Sequence, residues 1–599
     1  MTISASAMEQ GNVGQQATGR PVVYGTQGVI SSGHYLTSMA GMRMLLSGGN
    51  AFDAVVAAGF AAAVTEPIAS YSLAAEGVFM LYHAESGDLL SLSGQGTAPR
   101  LATVDWYQSQ GQDEIPTGPG PLAHLSFTVP GVVAAYLSLL EKYGSKTVGE
   151  VLEPSIHYAE RGIPNYEYML ERIDGPGTRS QWDEYPPGGT DVFYDDGRVP
   201  EPGSLLVQKS LGLILRKLVE AESAAPGHRV DGVRAARDCF YTGEIAQIIH
   251  DCAHRVGGIL GLKSLASYEA KYETPLKTSY MGHEVHGQRT WTQGAVLMQA
   301  LNILENFDLR SMGHNSTAYI HTVSQAVNLA FADREAYYGD PDFVEVPIDG
   351  LLSKEYAKER AAMIDPNSAM PELPPPGDPY KYSSMSGVAA QPRETVPTAA
   401  ADGGGADSGT THISSIDRDG NMVCATPSGG SFGKSVYFPE LGCALSTRIE
   451  MFNFEDGHPN RLEPFKRPRT TLVNYMVTKD GAPVMTVGCP GGDHQAQANM
   501  QLVLNSLLWG MNPQEAVEAP RFASQGVRNS FYPHTYYPGQ LGVEPGISQA
   551  VVEELRGMGH DIVSVASAGM GATVNTRDPE TGVLASSADP RRACYALSW

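Results

Sequence analysis

The sequence predicts a layered α+β fold on three observations. The middle of the chain carries apolar residues at spacings of three and four, the period of amphipathic helices. From Thr410 onward the pattern turns to short strands followed by further helices. Between the two, residues 365–409 shift sharply in composition, with Pro374-Pro375-Pro376-Gly377 and Gly403-Gly404-Gly405 in a stretch poor in large aliphatics. Strands in succession with helices before and after them favour helices packed on sheet.

Taken in order, residues 1–20 read as a disordered lead-in. An alternating segment from Val22 gives way to Ser38–Leu46. After Gly48-Gly49-Asn50 comes the Ala-rich run Ala51–Val64. Phe79–Tyr82 and Leu89–Leu92 flank the turn Ser86-Gly87-Asp88 as a β-hairpin. Helices are expected at Gly131–Tyr143, behind Pro130, and at Val151–Arg161, closed by Gly162. Further helices are expected at Leu205–Glu222, Glu244–Arg255, Leu297–Phe307 and Ala318–Tyr337. Beyond Thr410, strands are expected at Met422–Ala425, Val436–Phe438, Thr471–Val477 and Val484–Val487. Helices near Ala496–Leu508 and Pro513–Ala519 follow, and a helix–strand pair at Gln549–Val563 completes the reading.

The chain has 599 residues, 42% hydrophobic and 18% charged, enough to bury a large core. A formal charge of -24 disfavours a phosphate backbone as partner. Met1–Ala17 has no apolar segment of the secretory kind, and the run Ala54–Val64 is too short to span a bilayer. The cysteines Cys239, Cys252, Cys424, Cys443, Cys489 and Cys594 form no CxxC pair and read as reduced, buried thiols. These features lead to the expectation of a cytoplasmic protein.

Four motifs compete for the chemistry. Gly409-Thr410-Thr411 stands where the Pro/Gly-rich stretch meets a strand. Cleavage before Thr410 would leave a hydroxyl and a free α-amine on one residue. An amine titrating near ~8 can take the hydroxyl proton. A loop entering a sheet would look the same. Gly488-Cys489-Pro490-Gly491-Gly492-Asp493 is a tight turn between strand and helix whose bare backbone amides can hold an oxyanion, or it is simply such a turn. Gly429-Gly430-Ser431-Phe432-Gly433 matches GxSxG, but Lys434–Pro439 reads as a strand where a nucleophile elbow needs a helix. The pairs His250/His254 and His283/His286 lack an intervening glutamate or a third ligand, so a solvated helix face is the plainer account of the first. No nucleotide-binding fingerprint appears.

As a set these residues resemble the γ-glutamyltranspeptidase family of N-terminal nucleophile hydrolases. The resemblance rests on Gly48–Ala54, Thr65-Glu66-Pro67, Val129-Pro130-Gly131, Ala330–Arg334, Gly339-Asp340-Pro341, Thr410–Ser414, Lys466-Arg467-Pro468, Pro490-Gly491-Gly492 and Asp589–Arg592. It implies a four-layer αββα sandwich made as one precursor that cuts itself between Gly409 and Thr410. The large fragment would comprise a body, 21–364, and a flexible linker, 365–409. The small one, 410–599, would stay bound to it as a heterodimer, possible further dimerisation being left open. Thr410 is then the nucleophile of an amidohydrolase or acyltransferase acting on a small-molecule amide, with Gly491 and Gly492 as oxyanion hole. No metal or organic cofactor, nucleic acid or membrane is implied. Thr411, Ser428 and Gly430 match positions near the nucleophile, Ser428 and Gly430 standing where the family has a threonine and an asparagine.

The departures concern specificity. Gln95 stands in place of the arginine that holds a glutamyl carboxylate, and Met451, beside Glu450, in place of the acid that grips the α-amine. Thr470-Thr471 replace a serine pair, and the family's glycine run is broken as Leu73-Ala74-Ala75-Glu76-Gly77. A neutral glutamine does not replace a charge-assisted arginine contact. The pattern is similar to the acylase-like and oxamate-amidohydrolase-like branch, in which Arg448 is a candidate carboxylate ligand. γ-Glutamyl compounds such as glutathione and dicarboxylic or oxamate-like monoamides both remain open. So do a non-catalytic binding relative and a GxSxG serine hydrolase.

Overall fold

Two seven-stranded sheets, antiparallel throughout, form the centre of the molecule. The first runs in the order Val23–Gly25, Leu584–Ser586, Thr573–Arg577, Ala482–Gly488, Tyr475–Lys479, His283–Gly287, Leu276–Tyr280. The second runs Tyr595–Ser598, Gly28–Ser32, Ile413–Asp417, Met422–Ser428, Glu76–His83, Asp88–Gly94, Lys271–Glu273. This computed structural model describes residues 18–185, 188–391, 409–429 and 432–599, the side chain of Pro176 apart. Both sheets contain strands from before and after Thr410, so neither sheet can be completed by one side alone.

The helices Tyr35–Leu46, Ala51–Thr65 and Val132–Tyr143 pack on the second sheet, and Gly294–Leu304 and His494–Leu507 on the first. Ala51–Thr65 starts at Asn50, whose side chain accepts from Phe52 and Asp53 amides while Asp53 accepts from the Asn50 amide. All fifteen of its residues are buried, as a helix that is apolar all round requires. Gly162, at φ 89°, closes Val148–Arg161. Among the described residues no helix is long and apolar enough to cross a membrane.

The two sheets meet face to face along a seam of mixed character. Val29, Met80, Ile416, Met422, Cys424, Met476 and Leu584 form an apolar cluster there. Elsewhere the seam is polar. Ser414 Oγ meets Thr486 Oγ1 at 2.6 Å, Ser31 Oγ donates to Asn575 Oδ1 at 3.0 Å, and Asn474 Nδ2 donates to Thr426 Oγ1 at 3.0 Å. His412 lies flat against Gly488, where any Cβ would overlap its imidazole. That glycine lets the strand leading to the Gly491-Gly492 turn approach the strand that begins just after Thr410.

Several elements differ from expectation. The helix expected at Leu205–Glu222 starts only at Lys209 and runs to Ala224; Leu205–Leu206 instead pairs with Ile163–Pro164. The strand expected over Thr471–Val477 is Tyr475–Lys479, because Thr470 is drawn aside into a bridge with Thr292. Gln549–Gly557 and Asp561–Ser564 do not end the chain: Thr573–Arg577, Leu584–Ser586 and Tyr595–Ser598 follow. Residues 365–391 lie against the body rather than free of it. Gly377 N donates to Asp333 Oδ1 at 2.9 Å, Met370 N to Gln325 Oε1 at 2.9 Å and Leu373 N to the Tyr536 hydroxyl at 2.6 Å. Residues 392–408, the rest of the expected linker, lie outside the described residues.

Candidate active site

Thr410 is buried at the entry to strand Ile413–Asp417, and its hydroxyl lies against the carbonyl of Gly409, the group a self-cleavage would attack. The same hydroxyl donates to Ser428 Oγ at 3.3 Å, and Ser428 Oγ donates to Gly409 O at 3.1 Å. Ser428 ends the paired strand Met422–Ser428, so sheet register places it beside the junction. On the other side of the junction Arg592 Nη1 donates to the Thr410 carbonyl oxygen. Thr411 donates its amide to Pro427 O at 3.2 Å and sets its hydroxyl beside the buried Glu66 carboxylate. Burial raises the Glu66 pKa, and Arg592 with the Thr37 and Thr411 hydroxyls opposes the rise.

Gly409 sits where only glycine fits. A Cβ there would overlap Ser70 Oγ and lie 2.6 Å from Ser70 Cβ. Ser70 itself holds φ 51°, the left-handed region that costs a non-glycine residue energy. It also accepts the Gly429 amide at 2.6 Å.

A cleft of about 200 Å³ opens at this point, lined by Ser70, Gly409, Lys434, Arg448, Gly492 and Phe531 among others. Gly491 and Gly492 adopt φ of 126° and 55°, which turns the chain sharply before the helix His494–Leu507. Among the described residues neither of their amides donates to a protein acceptor. The turn is held from behind. Gln293 Nε2 donates to Thr471 O at 2.8 Å and to Gly492 O at 3.0 Å. Arg334 joins Gln293 Oε1 and the Asp493 carboxylate, and Asp493 also accepts from Ser530 N at 2.7 Å.

The specificity candidates separate. Arg448 reaches the cleft, whereas Met451 and Glu450 stand behind it. Arg448 Nη1 lies 3.4 Å from Met451 Sδ, and Glu450 Oε2 accepts from Thr117 Oγ1 at 2.7 Å with Lys434 Nζ at 3.9 Å. Gln95 is wholly buried, its Nε2 directed to Gly96 O at 3.4 Å, and it does not line the cleft. Thr470 Oγ1 accepts the Leu472 amide at 3.3 Å, and Thr471 enters the network through its carbonyl to Gln293. Gly430 and Ser431, and with them the middle of the GxSxG match, lie outside the described residues. The rings of His250 and His254 lie 4.1 Å apart and tilted on the helix Glu244–Arg255, whereas His283 and His286 lie on a strand, His286 Nε2 against Thr478 Oγ1 at 3.0 Å. Among the described residues no group of three or more His, Cys, Asp or Glu side chains is arranged to hold a metal.

Sequence reasoning missed Ser70, Lys434, Gln293, Asp493 and Phe531 as parts of the site. Asp493 alone carried a signal, as the residue closing the Gly-rich turn. The other four come from remote segments that nothing in local sequence connects to Thr410.

The γ-glutamyltranspeptidase family model matches residues 37–599. The chain belongs to that family. This γ-glutamyltranspeptidase-family chain is 31% identical to the glutathione hydrolase proenzyme of Escherichia coli K12, over 94% of its own length and 90% of the relative's. Among solved structures, LmbA2991HD superposes with a TM-score of 0.87 at 36% identity, covering 97% of this chain and 100% of that one. The cephalosporin acylase of Bacillus halodurans superposes at 0.82 with 28% identity, covering 99% of each. Family membership makes the chain an enzyme of the amide-cleaving γ-glutamyltranspeptidase and acylase group.

Proposed function

We propose that the chain is a self-processing amidohydrolase whose nucleophile is Thr410, released as a new N-terminus, on an αββα scaffold. The observation that carries this is the Thr410 hydroxyl seated on the carbonyl of Gly409, a residue that lines the same cleft as Gly492 and Arg448. In processing, Thr410 Oγ1 attacks the Gly409 carbonyl carbon, with the Ser428 hydroxyl donating to the carbonyl oxygen. The C–N bond breaks, nitrogen takes the proton that oxygen gives up, and an ester joins Gly409 to Thr410. Water then hydrolyses the ester to a Gly409 carboxylate and a Thr410 bearing a free amine. Helices on both sheets and the face-to-face sheets support the four-layer arrangement, and strands shared across Thr410 explain why the two fragments stay together as a heterodimer.

In turnover the freed amine accepts the Oγ1 proton as Oγ1 attacks an amide carbonyl. The Gly491 and Gly492 amides receive the developing oxyanion, each such donor contributing about 3 kcal/mol. The leaving amine takes the proton, and water or a second amine ends the acyl-enzyme. Arg448 on the cleft wall supports an acyl part that carries a carboxylate, which both γ-glutamyl and dicarboxylic or oxamate-like amides satisfy. Intact mass and N-terminal sequencing, followed by a hydrolysis panel of γ-glutamyl, glutaryl and oxamate amides, test the proposal. Two fragments with Thr410 at the fresh terminus support it. Hydrolysis by an unbroken chain refutes it, and a cut chain inert to the whole panel favours a non-catalytic relative.

A further inference from the structure

The glycine run broken at Glu76 acquires a meaning in three dimensions. Glu76 is buried at the start of strand Glu76–His83, and its Oε2 accepts from Arg448 Nε at 3.1 Å. Its other oxygen accepts from Thr128 Oγ1 at 2.6 Å and from Ser446 Oγ. Glu76 thus grips the guanidinium by one edge only. Of the two terminal nitrogens, Nη1 faces the weak acceptor Met451 Sδ, and Nη2 has no hydrogen-bond partner among the described residues. The side chain is 1% exposed, yet it forms part of the cleft wall beside Gly409 and Gly492, under the ring of Phe531 at 5.2 Å. A second cation, Lys434, approaches the same ring at 5.3 Å and has Glu450 as its counter-charge.

A buried guanidinium with terminal donors unspent is costly unless an anion completes it. Its fork matches a carboxylate, which both terminal nitrogens can bind together. An ammonium brought to the same wall meets like charge. We infer that Glu76 is a positioning residue that fixes Arg448 as the receptor for the distal carboxylate of the acyl group, so that desamino dicarboxylic monoamides of glutaryl type are preferred to γ-glutamyl amides. This rests on the cleft beside Thr410 being the acyl site.

The pair also couples binding to protons. Burial raises the Glu76 pKa to about 7, against the opposing pull of Arg448 and the Ser446 and Thr128 hydroxyls. Tyr268 is the other titratable group coupled to it, and burial holds that phenol neutral. Below pH 7 a neutral Glu76 leaves the Arg448 charge uncompensated, and a ligand carboxylate is held more tightly. Above pH 7 the ionised Glu76 competes with it.

The test is calorimetric binding of glutarate, L-glutamate and butyrate to the processed enzyme at pH 6 and pH 8, which needs no turnover. Glutarate is expected to bind at least about 30-fold more tightly than butyrate, and more tightly than L-glutamate. The double variant Glu76→Gln, Arg448→Met removes both charges without stranding either, and should reduce glutarate binding to the butyrate level. Glu76→Gln keeps an acceptor for Nε, so it should retain glutarate binding but lose the weakening between pH 6 and pH 8. Glu76→Leu removes the acceptor and should weaken glutarate about tenfold although the wall becomes more positive; a purely electrostatic Glu76 would do the reverse. Wild-type preference for L-glutamate, or undiminished glutarate binding in the double variant, overturns the inference. Absence of amide hydrolysis would strike the Thr410 nucleophile instead, and leaves these binding outcomes readable.

Discussion

The end of the cleft proposed to hold the nucleophile and the end proposed to hold the acyl group are built from different materials. Around the Thr410 hydroxyl the partners are hydroxyls and backbone, Ser428 and the Gly409 carbonyl, with the strained Ser70 against Gly409; Arg592 holds the Thr410 carbonyl and Glu66 lies beside Thr411. Around Arg448 stand charges and an aromatic face: Glu76 on its Nε, Phe531 over the guanidinium, and the Lys434–Glu450 pair at the same ring. Under the proposed function the first end depends on contact geometry and the second on electrostatics, which sorts substrates by charge. Substitutions at the two ends should therefore fail in different ways.

The largest effect is expected at the nucleophile. Thr410→Ala should remain a single 64.0 kDa chain and lose activity by roughly 10⁴-fold or more, since the neighbouring Ser428 hydroxyl has no freed α-amine of its own to take its proton. Denaturing electrophoresis and a progress curve check both outcomes. Gly409→Ala separates processing from turnover. Its methyl overlaps Ser70, a strain of roughly 1–3 kcal/mol that should slow self-cleavage about 10–100-fold in a time course of fragment release. Once cleavage has occurred, residue 409 is a free chain end, and turnover per cleaved molecule should equal that of the wild type. A parallel loss in both rates would mean that Gly409 shapes the mature site as well.

The Gly491-Gly492 turn, the proposed oxyanion hole, lies between the two extremes, because its geometry is set by neutral and charged groups together. Gln293→Leu removes the bridge from Thr471 O to Gly492 O and the Oε1 acceptor of Arg334, and leaves the Arg334–Asp493 pair in place. A loosened turn should lower kcat about tenfold with KM almost unchanged, as expected of contacts felt mainly in the transition state. A rise in KM alone would place Gln293 with the acyl wall.

This division also explains what could be read from the sequence. The Gly409-Thr410 junction, the Gly491-Gly492 turn and most of the longer helices were legible, because each is written in contiguous residues with a period or a turn; Arg229–Tyr241 and short helices such as Val104–Ser109 and Lys354–Ala361 were not expected. The strands Thr573–Arg577, Leu584–Ser586 and Tyr595–Ser598 were not. They are short and carry Asn575 and Ser586 into the polar seam between the sheets, so no apolar alternation marks them. Glu76 was visible only as an interruption. Its role depends on Arg448, 372 residues away, and an ion pair at that distance in sequence leaves no local trace. Gln95 was singled out by its position in the motif, yet its side chain turns into the protein and away from the cleft.

The smallest effect concerns the strand that carries the nucleophile and reports on stability alone. His412, two residues beyond Thr410, is fully buried, with Nδ1 against Thr426 Oγ1 at 2.8 Å and Nε2 without a partner among the described residues. Burial lowers its pKa to about 3, so it stays neutral in the folded protein across the neutral and mildly acidic range. An unfolded histidine titrates near 6.5. Between pH 6.5 and about 3 the unfolded state therefore binds a proton that the folded state refuses, and stability falls as pH is lowered through that window, by up to about 1.4 kcal/mol per pH unit. His412→Leu removes this proton and leaves the Thr426 hydroxyl bonded to Val473 O at 3.1 Å and to Asn474 Nδ2 at 3.0 Å. Melting curves of the Thr410→Ala precursor with and without His412→Leu, taken from pH 7 to pH 5, should diverge, with the leucine variant losing less on acidification. Parallel curves would mean that His412 is protonated equally in both states, and that water reaches the seam beside the nucleophile.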